Sequence, residues 1–153
     1  MVRLADTPSA LRQHLEHLEC PTFGESPWQT GAPLSRRRIA IVSTAGLQKR
    51  GDRAFTLGAT DYRVIPGNTP AADVVMSHIS SNFDRTGFQQ DLNVVFPLER
   101  LRELAASGEI GSVADFHYSF MGATAPEQMA DAALALASLL HADGVDGVLL
   151  APV

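Results

Sequence analysis

The run Arg38-Ile39-Ala40-Ile41-Val42-Ser43-Thr44, halted at Ala45-Gly46, constrains the fold more than any other stretch. It is short, nearly continuous in apolar residues, and ends on a glycine turn. A fully buried parallel strand reads this way, and such a strand needs cover on both faces. The rest of the chain supplies candidate covers. Pro97-Leu98-Glu99-Arg100-Leu101-Arg102-Glu103-Leu104 opens with proline at a helix start, lines Leu98, Leu101 and Leu104 on one face, and stops at Gly108. Thr124 is placed to cap a second helix, with Pro126 and Glu127 in its first turn. Met129, Ala133, Leu136 and Leu140 form its stripe, and it runs to Asp143-Gly144.

Further strands are expected at Tyr62–Ile65, as a short edge strand stopped by Pro66-Gly67, and at Asp73–His78. A third strand or extended segment is expected within Val113–Phe120, and a last buried strand within Val145–Val153. Strands alternating with helices at this spacing predict an α/β fold. A mainly parallel sheet of the Rossmann or flavodoxin-like kind, flanked by helices, is the expected architecture. The spacing predicts parallel strands near 39–43, 73–77 and 146–151, and helices near 8–19, 97–107 and 126–141. The expected core comprises Ile39, Ile41, Val42, Val74, Val75, Leu98, Leu101, Leu136, Leu140, Val148 and Leu150. Residues 46–60 read as a long loop.

Residues 1–35 form a separate segment, and residues 36–153 the α/β domain. Thr7-Pro8 opens a first helix with Leu11, Leu15 and Leu18 in one stripe, ended by Pro21. The proline- and glycine-bearing stretch 21–35 reads as an irregular wrap anchored by Phe23 and Trp28.

The 153 residues carry a formal net charge of −5, which gives no basic footprint for a nucleic acid. Arg36-Arg37-Arg38 is a solvated strand entry on this reading. No apolar run is long enough to span a membrane, and the charged N-terminus is not a signal peptide, so a cytoplasmic protein is expected. The single cysteine, Cys20, leaves no internal disulfide and reads as a small buried hydrophobe or helix-end thiol. A thiol enzyme using Cys20 is the weakest functional reading. His14 and His17 lack a carboxylate or cysteine cluster, Asn82 and Asp84 lack calcium-loop spacing, and no metal is expected.

Ligands of open α/β sheets bind outside the carboxyl ends of the strands. His78 stands at such an end, as a general acid, a cation or a hydrogen-bonded loop histidine. His117 is a second candidate, with a structural role beside it. Ser43-Thr44-Ala45-Gly46 could cradle an anion through backbone N–H groups, which makes Thr44 and Gly46 candidates for binding a substrate carboxylate. The polar loop 80–93 adds Asp84, Arg85, Asp91 and Asn93, with turn and helix capping as the rival reading for the acids and amides. Ser119 lacks a GxSxG context, and no GxGxxG or GxxxxGK[ST] marks a nucleotide site.

Several blocks in fixed order carry a family resemblance. Asp91–Leu104, Gly108–Val113 and His117–Gly122 resemble the selenoprotein B family of glycine, sarcosine, betaine and D-proline reductases. So do Thr44-Ala45-Gly46, Tyr62–Pro66, Ser77-His78 and Ala142–Leu150. The resemblance covers roughly residues 38–153 and none of the first 35. It implies reductive cleavage of a carbon–nitrogen bond alpha to a carboxylate in a small amino acid or amine, by attack of a selenolate. It also implies a dithiol reductant, a partner subunit that carries pyruvoyl in the glycine-type members, and selenocysteine as the reacting residue. In the family the last strand runs into that selenocysteine, which is encoded by UGA. The expectation is therefore a chain ended at that codon, just after Val153, without the family's C-terminal part and inactive alone. The other expectation is a non-enzymatic binding or scaffold module complete at residue 153. Exposed apolar surface left by a missing cover would favour a homo-oligomer.

Overall fold

A computed structural model describes residues 4–17, 22, 24, 29–80 and 85–153. They fall into two units, residues 1–30 and 31–153. In the first, helix α1 spans Ser9–Glu16 with Leu11 and Leu15 both exposed. Thr7 does not cap it. Its hydroxyl donates to Leu4 O instead, and Pro8 holds the cap position. Leu18, Cys20, Pro21, Phe23 and Trp28 lie outside the described residues, as do Asn82 and Asp84.

The second unit is built on β1 (Arg38–Ser43). β5 (Ser112–Val113) and β6 (Phe116–Ser119) pair in parallel with successive halves of one edge of β1, and β7 (Gly147–Ala151) pairs in parallel with the other. β3 (Arg63–Pro66) joins β6 antiparallel and closes that side. The α/β class and mainly parallel sheet are as expected. One strand is not. β4 (Val74–Met76) lies outside this sheet and pairs antiparallel with β2 (Leu47–Lys49) in a separate ribbon. Gly46, at φ +64°, turns the chain straight out of β1 into β2, so residues 46–60 begin with a strand rather than a loop. The Ser77 N–H then donates to Gly46 O at 2.9 Å and fixes the ribbon against that turn.

Helix α2 (Thr86–Gln90) and a turn at Leu92–Val94 occupy the polar stretch expected as a loop. Helices α3 (Leu98–Ala106) and α4 (Ala130–Ala142) cover opposite faces of the sheet. On the α3 face, Ile39, Ile41, Ile65, Phe96, Leu98 and Leu101 pack together. On the other, Tyr118, Phe120 and Leu136 pack with Val42, Tyr62 and Leu140. Thr124 does not cap the second helix. Its hydroxyl donates to Ala59 O at 2.8 Å, and a 3-10 turn at Pro126–Met129 leads into α4.

Of the expected core residues, Val42, Val74, Val75 and Leu140 are half-buried and two are exposed. Val148 is 42% exposed and Leu150 68%. Their partners across the parallel ladder, Ala40 and Val42, share their face, but α4 sits over Val42 and Tyr118 and leaves β7 uncovered. Arg38 is not a solvated strand entry either. Its guanidinium bonds the Asp143 carboxylate at 2.6 Å and Val113 O at 2.8 Å, and pairs with Asp115 at 3.0 Å. Burial alone would raise the Asp143 carboxyl, but bonds from Arg38 and from the Phe116 and Asp115 N–H groups outweigh it and hold the pKa down. This network fastens the amino ends of β1 and β6 to the end of α4.

Candidate functional site

The carboxyl ends of β1, β6 and β7 converge on one glycine. The Val153 N–H donates to Thr44 Oγ1 at 2.8 Å, and the Gly122 N–H donates to Thr44 O at 2.8 Å. A Cβ built on Gly122 would stand 2.6 Å from Val153 O, 2.8 Å from Thr44 O and 3.2 Å from His78 Nε2. No side chain fits there, so only glycine lets these three segments close on each other. Gly46 makes a second close approach. A Cβ on it would meet the His78 backbone at 3.0 Å. Thr44, His78 and Val153 thus meet where the sequence places a ligand edge, and Gly122 is what permits the meeting. Sequence reasoning passed over Gly122, whose signal was its place directly after the buried run ending at Met121.

His78 is buried, and its Nδ1 accepts from the Ser80 N–H at 3.1 Å. Burial, and then the Arg85 guanidinium, push its pKa down. The ring is therefore neutral near pH 7, with its proton on Nε2 on the side of Gly122. This geometry argues against a cation at His78 and for a neutral N–H donor. Arg85 folds back on the same segment, donating to His78 O and to Ser80 O.

The turn after β1 is not an anion cradle. The Thr44 N–H donates to Ala151 O, the Ala45 N–H to Ser43 Oγ, and the Gly46 N–H to Phe120 O. All three are spent inside the fold, so what the turn offers is position rather than backbone donors.

His117 sits elsewhere. It is fully buried, with its ring edge-on to Phe96 at 5.6 Å. Its Nδ1 accepts the Ile41 N–H at 3.0 Å. That bond fills the gap in the ladder where β5 stops and β6 begins. Burial, aided by the charge of Arg102, lowers its pKa to about 4, so it too is neutral.

Asp91 and Asn93 are not part of the edge. Asp91 accepts from the Asn93 N–H and side-chain amide, both at 2.9 Å, which is the capping arrangement of the Leu92–Val94 turn. They line a cleft of about 220 Å³ with Thr69, Glu99 and Arg102. The apolar stripe of α3 hid the other face, where Glu99 and Arg102 stand three apart. Among the described residues no cluster of three metal-ligating side chains occurs, and no helix is long and apolar enough to cross a membrane.

Residues 16–153 match the family model of glycine/sarcosine/betaine reductase selenoprotein B, and the chain belongs to that family. It is similar to the D-proline reductase subunit gamma of Acetoanaerobium sticklandii, at 33% identity over 120 residues. That match covers 76% of this chain and 49% of the relative. It is also similar to the glycine reductase complex component B subunit gamma of Carboxydothermus hydrogenoformans, at 31% identity over 87% of this chain and 32% of the relative. The betaine reductase complex component B subunit beta of Peptoclostridium acidaminophilum is 32% identical over 76% of this chain and 28% of its own length. The chain thus spans about half of the first relative and about a third or less of the other two. No solved structure matches it.

Proposed function

We propose that these residues form the sheet-bearing part of a reductase subunit that cleaves the carbon–nitrogen bond alpha to the carboxylate of a small amine. The observation that carries this reading is the convergence of Thr44, His78 and Val153 on Gly122, at the edge where α/β sheets bind ligands. A selenolate of the intact subunit would supply the nucleophile, and a dithiol the reducing equivalents. The chain's own residues position and polarise. Thr44 holds the end of the β7 segment through both bonds to Val153. His78 presents its Nε2 proton beside Gly122, where it stabilises a developing anion by hydrogen bonding without carrying charge itself. Arg85 steadies the His78 backbone from behind. The relatives are named as subunits of reductase complexes, which supports partner subunits here; that one of them bears pyruvoyl is part of the proposal.

Activity of the intact subunit, assembled with its partner subunits, tests this reading. The selenium-containing subunit should, with a dithiol present, release ammonia or an amine from glycine, sarcosine or betaine, or open the ring of D-proline, and His78→Ala should slow it at least tenfold. No cleavage of any of the four substrates, or an unchanged rate in His78→Ala, overturns it.

A further inference from the structure

β4 stands outside the main sheet, so no strand of that sheet carries His78 to the carboxyl edge. The place of His78 depends on how the β2–β4 ribbon is fastened there. Part of the fastening is backbone. The Ser77 N–H donates to Gly46 O at 2.9 Å, and a Cβ on Gly46 would stand 3.0 Å from His78 Cα, so the two main chains pack with no side chain between them.

The rest is made by side chains. Gln48 lies in β2 opposite Val75 and is only 6% exposed. A buried amide costs free energy unless it is hydrogen-bonded. Gln48 Oε1 accepts from the hydroxyl of Ser77, the residue directly before His78. Ser77 Oγ in turn accepts the Phe55 N–H at 2.9 Å. The Phe55 amide can only donate and Gln48 Oε1 can only accept, and the other acceptor in reach, Gly46 O, is at 3.5 Å. The hydroxyl proton therefore goes to Gln48. Phe55 is itself buried, with the Arg63 guanidinium carbon 4.2 Å from its ring centroid. Ser77 is thus tied both to the ribbon and to an anchored stretch of the chain. The His78 ring is oriented separately, by the Ser80 N–H on Nδ1.

We propose that Gln48, acting through the Ser77 hydroxyl, is a positioning residue of the reaction: it fixes the main chain at His78 and with it the place of the Nε2 proton beside Gly122. Gln48 touches no reacting group. Its effect is geometric, and a misplacement of about 1 Å can cost about a hundredfold in rate. The assignment rests on His78 acting in the reductase reaction, and the test separates the two.

Gln48→Met keeps the length of the side chain and removes the acceptor, while Ser77→Ala removes the hydroxyl from the other side. In the full, nitrogen-15-labelled chain both should shift or broaden the His78 ring signals and leave those of His117 in place. Ser77→Thr keeps the hydroxyl and should return the His78 signals to their parent positions. In the intact subunit, with its partner subunits and a dithiol, Gln48→Met and Ser77→Ala should each lower kcat at least tenfold with KM within twofold. In a His78→Ala background Gln48→Met should cost less than twofold more. A merely structural role would lower the thermal midpoint and cost as much rate in either background. Unmoved His78 signals in both variants, or an equal loss of rate in the two backgrounds, overturns the proposal. Moved signals with a parental rate in His78→Ala overturn it too, through the failure of His78 in the reaction rather than of its link to Gln48.

Discussion

β6 and β7 flank the same central strand in the same direction, yet they live in opposite environments. β6 reads Phe-His-Tyr-Ser and buries three of its four residues, all three of them polar or ionisable. β7 reads Gly-Val-Leu-Leu-Ala and leaves its three large apolar residues exposed. The more polar strand is inside because β3 closes its outer edge, Phe96 meets His117 on one face, and Tyr62 meets Tyr118 on the other. The more apolar strand is exposed because nothing pairs its outer edge among the described residues. Apolar content records the cover a strand is suited to. Burial records the cover that surrounding elements provide.

The largest way to sharpen this contrast is to truncate the inner strand. Tyr118→Ala removes a ring that is 2% exposed and packed edge-on against Tyr62 at 5.6 Å. It should cost about 3–5 kcal/mol in urea unfolding. A loss below about 1 kcal/mol would show that β6 is not the structural side of the sheet.

Acid should weaken the same strand. His117 has a folded pKa of about 4 against an ordinary value of 6.5. Between those values the unfolded chain binds the extra proton, so stability is full above pH 6.5 and falls as the pH drops toward 4. The loss from this residue approaches about 3 kcal/mol, and His78, also shifted down, acts in the same sense. Denaturant titrations between pH 7 and pH 4 read the slope. His117→Gln should flatten it, and an unchanged slope would assign the acid sensitivity elsewhere.

Gly122→Ala tests where the ends of the two strands meet. The added methyl group must displace Val153 O, Thr44 O or His78 Nε2. It should cost about 1–3 kcal/mol and shift the His78 ring signals. Unmoved His78 signals would break the proposed convergence.

The smallest effect belongs to β7. Leu150→Lys, at a position 68% exposed, should change stability by no more than about 0.5 kcal/mol. Its effect should appear in association. Light scattering should find the parent chain self-associated through this open strand and the variant closer to a monomer.

These contrasts also mark what the sequence could say. β1, α3 and α4 were legible because each carries a local period and a punctuating proline or glycine. β4 was legible as a strand but not in its pairing, since Val-Val-Met looks alike in a central sheet and in a ribbon. β2 was hidden in a polar stretch three residues long, and its pairing depends on the turn at Gly46. Thr44, His78 and Val153 were brought together by a rule about strand ends. Asp91 and Asn93 were grouped with them only because the polar stretch 80–93 that holds them follows His78 directly. In the fold, α2 and the following turn carry them to a different cleft.

The rung between Ile41 and His117 also has a spectroscopic consequence. A ladder rung normally joins nitrogen to oxygen, whereas this one joins an amide nitrogen to an imidazole nitrogen. Both nuclei can be labelled with nitrogen-15, so spin–spin coupling can pass directly through the hydrogen bond. In a labelled sample, a cross-peak between the Ile41 amide and His117 Nδ1 would make the junction of β5 and β6 visible as a single resonance. Its disappearance would time the opening of the sheet at its centre.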